Sequence, residues 1–281
     1  MLLERRHFLT ALAALVLAAP LPTLADEQYD AIRKRGRLSV AVYNNFAPYS
    51  DAEKGIDVEI GKALAAKLGL TPAIVGFNAD EDMNDDLRNM VWKGHYLRGD
   101  PADLMLHVPV DKRLSDANDK VKIFGPYHME TVAMARVASR VPVPTGSAAV
   151  ALEVFTREKI AVETESMADS FLMTVLRGRL RDNVVHFKTV KEGVKALGDG
   201  AVAAVLANRA ELEGALAGDT RFALDLAALP EMTISRWPLG MAVKAEAPDL
   251  ATALEGAMAE LVRDGTIAAI FKRFGATHLA P

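Results

Sequence analysis

Three groups of residues in this chain are of types that could do chemistry. The first is a lone arginine. The stretch ADLMLHVPVDKR (102–113) runs through the apolar Leu104, Met105 and Leu106 and ends in Asp111, Lys112 and Arg113. A guanidinium at the end of a strand is a planar fork that takes a carboxylate through two parallel hydrogen bonds, which a lysine cannot do. Its bland counterpart is a salt bridge to Asp111 or another surface acid, worth little. The second group is acidic: NADEDMNDDLRN (78–89) gathers Asp80, Glu81, Asp82, Asp85 and Asp86. Asp80, Asp82 and Asn84 have the spacing of the first calcium-loop ligands. The pattern then fails, with Asp85 where glycine is needed and Val91 where a bidentate glutamate is needed. A solvated turn that caps the next helix is the better reading, with a hard cation such as calcium or a lanthanide as the alternative. The third group is histidine. His107, His128 and His186 stand singly, with no partner at metal-ligand spacing. His107 alternates with Leu106 and Val108, so it either packs within a sheet or faces a cleft.

Other chemistry is excluded. The chain has no cysteine, hence no disulfide, thiolate site or cysteine nucleophile. There is no glycine-rich phosphate loop and no pair of catalytic carboxylates, and Ser147 in TGSAA lacks the context of a nucleophile elbow. A formal charge of −4, with lysines scattered, does not suit nucleic acid, which needs clustered cations.

The elements that must position these residues alternate. Strands are predicted over 38–42, 72–77, 103–108, 132–137, 159–163, 184–187, 201–207 and 239–243. Helices are predicted over 56–68, 83–93, 167–180, 191–197 and 209–217, with two more between 248 and 274 broken at Asp264-Gly265. Such alternation predicts an α/β fold of parallel sheets with helices on both faces. Residues 95–103 (HYLRGDPAD) read as an inserted loop, a lid or partner surface against an inert loop. Trp92 reads as core. Trp237-Pro238 lies just before the strand expected over 239–243, where proline would set the direction of a hinge and Trp237 could serve as a lid aromatic.

The first 25 residues have the layout of a cleavable signal peptide: Arg5 and Arg6, an apolar run from Ala11 to Leu21, and small residues before Asp26. The run is shorter than the roughly 20 residues that span a bilayer. Arg5-Arg6-His7-Phe8-Leu9 is also compatible with twin-arginine export. Removing this leader leaves 256 residues and a formal charge of −5. The expectation is an exported, periplasmic protein.

KGIDVEIGKALAAKLGL (54–70) resembles the signature of family 3 bacterial solute-binding proteins, the polar amino acid receptors of ABC importers, through Gly55, Ile56, Asp57, Val58, Glu59, Ile60, Leu64, Ala65 and Leu68. Further pieces follow in family order: RKRGRLSVAVYNNFAPYS (33–50), ADLMLHVPVDKR with VKIFGPYH, KIAVETESMADSFL (159–172), GAVAAVLANRAEL (200–212) and APDLATALEGAMAELVRDGTIAAIFKRFG (247–275). The resemblance implies a two-lobed periplasmic binding protein type 2 fold. Lobe 1 would hold 26–134 plus 241–281 and lobe 2 would hold 135–240. The crossing strands would be Val132–Val137 and Leu239–Val243, and the ligand would sit in a cleft that closes by a hinge.

By the same resemblance Arg113 takes the place of the ligand-carboxylate clamp, Met105, Leu106, Val108 and Val110 stand where hydroxyl residues are usual, and His107 replaces an apolar position. Tyr43 and Asn208 fall where the family keeps acids for the ligand ammonium, Phe46 on the stacking aromatic, and Ser166 in the lobe 2 turn, where Glu165 replaces a glycine. An ammonium without an acid is costly to bury. The expectation is therefore a solute receptor with a depolarised cleft, for a carboxylate lacking an amine or for an apolar solute. It would be a monomer without cofactor, working with an importer permease. The alternative is an accessory protein of a periplasmic quinoprotein alcohol (methanol) dehydrogenase, binding that enzyme or its cytochrome. A dehydratase-like enzyme of this fold is disfavoured, because no acid/base pair presents itself.

Overall fold

The computed structural model describes residues 27–51, 53–95 and 99–281. The expected leader and residues 96–98 of the expected insertion lie outside them. The chain opens with α1 (Glu27–Arg35), β1 (Arg37–Tyr43), α2 (Ile56–Lys67) and β2 (Thr71–Phe77). Next come α3 (Met83–Leu87), which runs on as a π-turn over Arg88–Trp92, then β3 (Leu104–Pro109), α4 (Lys112–Ala117) and a long β4 (Val121–Arg136). The middle of the chain forms α5 (Ala148–Ala151), β5 (Ile160–Glu163), α6 (Met167–Thr174), β6 (Val184–Phe187), α7 (Val190–Gly198), β7 (Ala204–Asn208), α8 (Arg209–Leu216) and β8 (Ala223–Leu226). It ends with β9 (Arg236–Lys244), α9 (Pro248–Arg263) and α10 (Thr266–Arg273).

Hydrogen bonding orders the strands β2-β1-β3-β9-β4-β7-β5-β6, with β8 also on β4. The outer pairs are parallel, as βαβ units require, while β9 and β4 run antiparallel to their neighbours. β4 serves both halves. From Val121 to Thr131 it pairs with β9, and from Val132 to Arg136 with β7 and β8.

This differs from the strand expected over 132–137. Gly125-Pro126 reads as a break, yet β4 passes through it. A bulge between Phe124 and His128 absorbs the two residues, with Gly125 at φ +61°. Proline has no N–H to offer a ladder, and a bulge is where a strand tolerates that. The helix expected over 167–180 also stops early, because Leu176 and Arg177 turn into the left-handed region after α6.

Period-two alternation builds the cores. On β1, Val40 and Val42 join a cluster with Leu64 and Phe271, while Ala41 and Tyr43 join the opposite one with Met90 and Met105. On β4, Val132 and Met134 face Phe155 and Leu172, while Ala133 and Ala135 face Val194 and Leu212. Each half-sheet is thus buried on both faces, which is why its strands read as nearly continuous apolar runs.

Gly55 opens α2 at φ +133°, and a Cβ there would lie 2.2 Å from the Tyr49 carbonyl oxygen. Only glycine fits, which gives the signature glycine a physical cause. The C-terminal residues strap the junction of the two halves. Met129 N–H donates to the Leu279 carbonyl at 2.9 Å, and Thr277 N–H donates to Glu213 at 2.6 Å. His128 Nδ1 accepts from Leu279 N–H at 3.2 Å, which requires the neutral ring. Burial, with His278 and His107 nearby, holds its pKa down at about 3.

Two outcomes follow. Gly55→Ala should lose at least about 2 kcal/mol of unfolding free energy in urea titration, through strain and overlap. A depressed histidine pKa stabilises the fold above its unfolded value near 6.5 and withdraws that stability as pH falls toward 3. Relative to wild type, His128→Gln should therefore show a flatter loss of stability between pH 6.5 and 4; parallel profiles would show that His128 is charged in the fold.

Candidate functional site

Phe46 projects from the loop after β1 against the other half of the molecule and encloses a cavity of about 260 Å³. Its walls there are the β5–α6 turn (163–168), Val132, Val190, the end of β7 at Ala207 and Asn208, and Glu211. A second space of about 160 Å³ is lined by Asn45, Ala47 and Asp51 of the same loop and by Glu163, Thr189, Val190, Lys191 and Glu211. Pro48 of the loop packs within reach of Gly214 on α8. The halves are therefore in contact through residues 45–51.

Local rules place the lining. Ser166 caps α6, its Oγ accepting from Asp169 N–H at 3.1 Å. Glu165, just before it, sits at φ +63°, and its N–H donates to the Asp169 carboxylate at 3.0 Å. That backbone conformation is one that favours glycine. Asn45 and His107, also bordering this junction, have φ +54° and +62°. Non-glycine residues held there cost about 1–3 kcal/mol each and persist where surrounding structure over-determines them.

The cavity is acidic. Glu163 ends β5, with its carboxylate taking the Val190 backbone N–H. Glu211 lies in the first turn of α8, only 6% exposed, with the Asn208 amide as a hydrogen-bond partner. Neither forms an ion pair among the described residues. Burial pushes Glu211 well above the usual carboxylate range, and the charges of Glu163 and Glu130 push it further. Burial raises Glu163 and Glu130 as well.

Beneath Phe46 lies a buried polar cluster. Phe46 stacks on Tyr49 at 5.3 Å and meets His107 edge-on at 4.8 Å, and Tyr49 meets His107 at 4.2 Å. Tyr49 Oη donates to Glu130, which also takes Thr131 N–H at 2.8 Å. Tyr127 Oη donates to Asp57 at 3.2 Å and accepts His107 N–H at 3.3 Å. His107 Nδ1 and the second Asp57 oxygen lie 3.3 Å apart without the alignment of a hydrogen bond.

Of the residues expected to bind ligand, Phe46, Ser166 and Asn208 line the cavity. The other five do not. Tyr43 turns away, its hydroxyl donating to Asp86 at 2.6 Å. Met105 and Val108 are fully buried in the core behind the cleft. His107 is enclosed by the aromatic rings. Arg113 is exposed in the first turn of α4, and no ion pair engages it among the described residues. Asp111 caps α4 through Leu114 N–H instead of pairing with it. Glu163 and Glu211 escaped the sequence reading; the available signal was an acid at, or three residues past, the end of a buried strand. In the acidic turn, Asp82 caps α3 and Asp86 is buried against Tyr43, and no group of three or more metal-ligating side chains stands together among the described residues.

No protein-family model and no curated protein sequence matches the chain. Solved structures do. An ancestral cationic amino acid solute-binding protein aligns over 88% of this chain and 99% of its own, with a TM-score of 0.67 and 17% identity. The L-cysteine solute receptor of Neisseria gonorrhoeae covers 87% and 92%, with a TM-score of 0.58 and 20% identity. An amino acid ABC transporter substrate-binding protein of Streptococcus pneumoniae, bound to L-arginine, covers 87% and 97%, with a TM-score of 0.59 and 18% identity. The chain has the mixed α/β fold of the type 2 periplasmic binding proteins.

A carboxyl whose pKa is raised by folding stabilises the fold below its unfolded pKa and withdraws that stability as pH rises toward the folded value. Glu211→Gln should therefore flatten the fall of unfolding free energy as pH rises above the unfolded carboxylate range, by up to about 1.4 kcal/mol per pH unit while the folded group holds its proton. An unchanged slope would show that Glu211 is already ionised in the fold.

Proposed function

We propose that the chain is an exported solute receptor, with lobes divided at 134 and 241 as the sequence suggests, that hands a small solute to an importer permease. The observation that carries this reading is the cavity at the junction, walled by Phe46 from one half and by the β5–α6 turn, Asn208 and Glu211 from the other. A ligand there touches both halves, so it binds their closed arrangement better than an open one and shifts the population toward it. About 260 Å³ is below the roughly 300–1,000 Å³ of drug-sized sites and suits a small metabolite.

The lining also bears on ligand charge. The sequence suggests a carboxylate held by Arg113, in a cleft without acids for an amine. In this fold Arg113 does not line the cavity, whereas Glu163, Glu165 and Glu211 do. An anion there would meet three carboxyls and no cation, so the geometry favours a neutral or cationic solute. One of the similar structures is an ancestral amino acid-binding protein described as a precursor of cyclohexadienyl dehydratase. Binding is the reading favoured for this chain, since most of the similar structures are binding proteins.

The test is thermal unfolding of the mature protein against amino acids, dicarboxylates, aromatic acids, alcohols, amines, calcium and a lanthanide. A ligand at about 100 times its Kd should add roughly 2.7 kcal/mol. Phe46→Ala should weaken that ligand about tenfold, by removing an aromatic wall worth of the order of 1 kcal/mol. Silence across the panel would overturn the receptor reading in favour of a dehydrogenase accessory, for which capture of a periplasmic quinoprotein dehydrogenase is the corresponding assay.

A further inference from the structure

We propose that the cleft takes an amphipathic organic cation, with its ammonium or guanidinium group between Glu163 and Glu211 and an apolar arm lying along Met167, Phe171, Met232 and Ile234. This rests on the receptor reading and narrows it to one chemical class.

The first support is the carboxyl pair. Glu163 and Glu211 line both spaces beside the 45–51 loop. Glu211 is more than nine-tenths buried. Lys191 lines the second space beside both acids, but neither acid forms an ion pair among the described residues, and no cationic side chain lines the cavity under Phe46. The charge of Glu163 acts on Glu211, so the two carboxyls repel once ionised, and burial adds to the penalty. A donor-bearing cation offsets both. Asn208, already bonded to Glu211, orients one carboxyl for it. The half-buried ring of Phe46 offers the cation an aromatic wall.

The second support is independent of charge. A trough of about 400 Å³ begins where the cavity ends, and the two share Glu165, Ser166 and Met167. Beyond that turn its walls are Phe171, Met232 and Ile234, with Ser170, Thr174, Glu231 and Thr233 at the rim. Met167 is 46% exposed and Ile234 52% exposed, two of the few large apolar side chains standing in solvent. Glu231 is engaged elsewhere, accepting Ala148 N–H at 2.8 Å. The left-handed turn at Glu165, tied to Asp169, holds Met167 outward between the two spaces. An acid-floored cavity that opens into an apolar trough complements a molecule with a cationic head and a hydrocarbon arm. Methionines line such surfaces well because they repack around different shapes.

The experiment is calorimetric titration at pH 7.5 with ethylamine, butylamine, hexylamine and phenethylamine, beside hexanoate and hexanol, on wild type and on Glu211→Gln, Glu163→Gln and Ile234→Ser. Folding of each variant is checked by circular dichroism melting. Hexylamine should bind at least tenfold tighter than ethylamine and than hexanoate. Either glutamine variant should weaken hexylamine at least tenfold. Ile234→Ser should weaken hexylamine at least threefold more than ethylamine. Equal affinity for ethylamine and hexylamine would remove the apolar arm, and hexanoate matching hexylamine would remove the cation; the receptor reading survives both results. If every amine is silent while another compound of the wider panel binds, the proposal falls alone. If nothing of any class binds, it falls together with the receptor reading.

Discussion

One strand is shared by two sheets, and the rest of the molecule is arranged around that constraint. β4 hands its pairing from β9 to β7 and β8 between Thr131 and Val132, so its backbone must stay bonded while its partners change. Ladder bonds left open in a buried stretch would each cost a desolvation penalty. They are filled locally: Val132 N–H donates to Ser235, its carbonyl accepts Ala227 N–H, and Met129 N–H donates to Leu279 of the tail. The side chains at the same handover are polar. Glu130 is buried there and has to take Tyr49 Oη and Thr131 N–H, which ties the loop after β1 to the junction. The position of Phe46 follows from that tie.

The junction thereby becomes a region where polar groups and backbone strain collect. Asn45, His107 and Glu165 all adopt left-handed backbone near it, and the unaligned His107–Asp57 contact lies beneath it. Elsewhere the two half-sheets obey alternation closely, one face to each cluster. Leu176, Arg177 and Ala217 take the same conformation at helix ends, but three such residues around one cavity fit a surface shaped for something other than stability. The carboxyls of Glu163 and Glu211 belong to the same pattern, since buried acids held without cations destabilise the free protein as pH rises.

Much of the fold was legible in the chain. The helix over 56–67 declares itself by apolar spacing and by Gly55 before it, and the break at Asp264-Gly265 separates α9 from α10 as expected. Phe46, Ser166 and Asn208 were named through the family resemblance, and the fold sets all three on one cavity. The first half of β4 did not, because Gly125-Pro126 carries a turn signature that only the neighbouring β9 overrides. α4 did not either, being a six-residue helix whose stability comes from the Asp111 cap and not from periodicity.

The sequence by itself determined the alternation of strands and helices and the double-faced cores, because side-chain periodicity and glycine conformation are local properties. Which side chains share the cavity was decided only by tertiary structure. Tyr43 stands on a strand end that points to the cleft, yet Asp86 captures its hydroxyl from another element. Arg113 has the right place in the chain, yet α4 carries it to the surface. Glu163 and Glu211 come from a strand and a helix far apart in the chain, and only the packing of α8 against the central strands brings their carboxyls together. A carboxyl's pKa and its worth as a ligand group depend on what lies within a few ångströms through space, and no spacing along the chain records that distance.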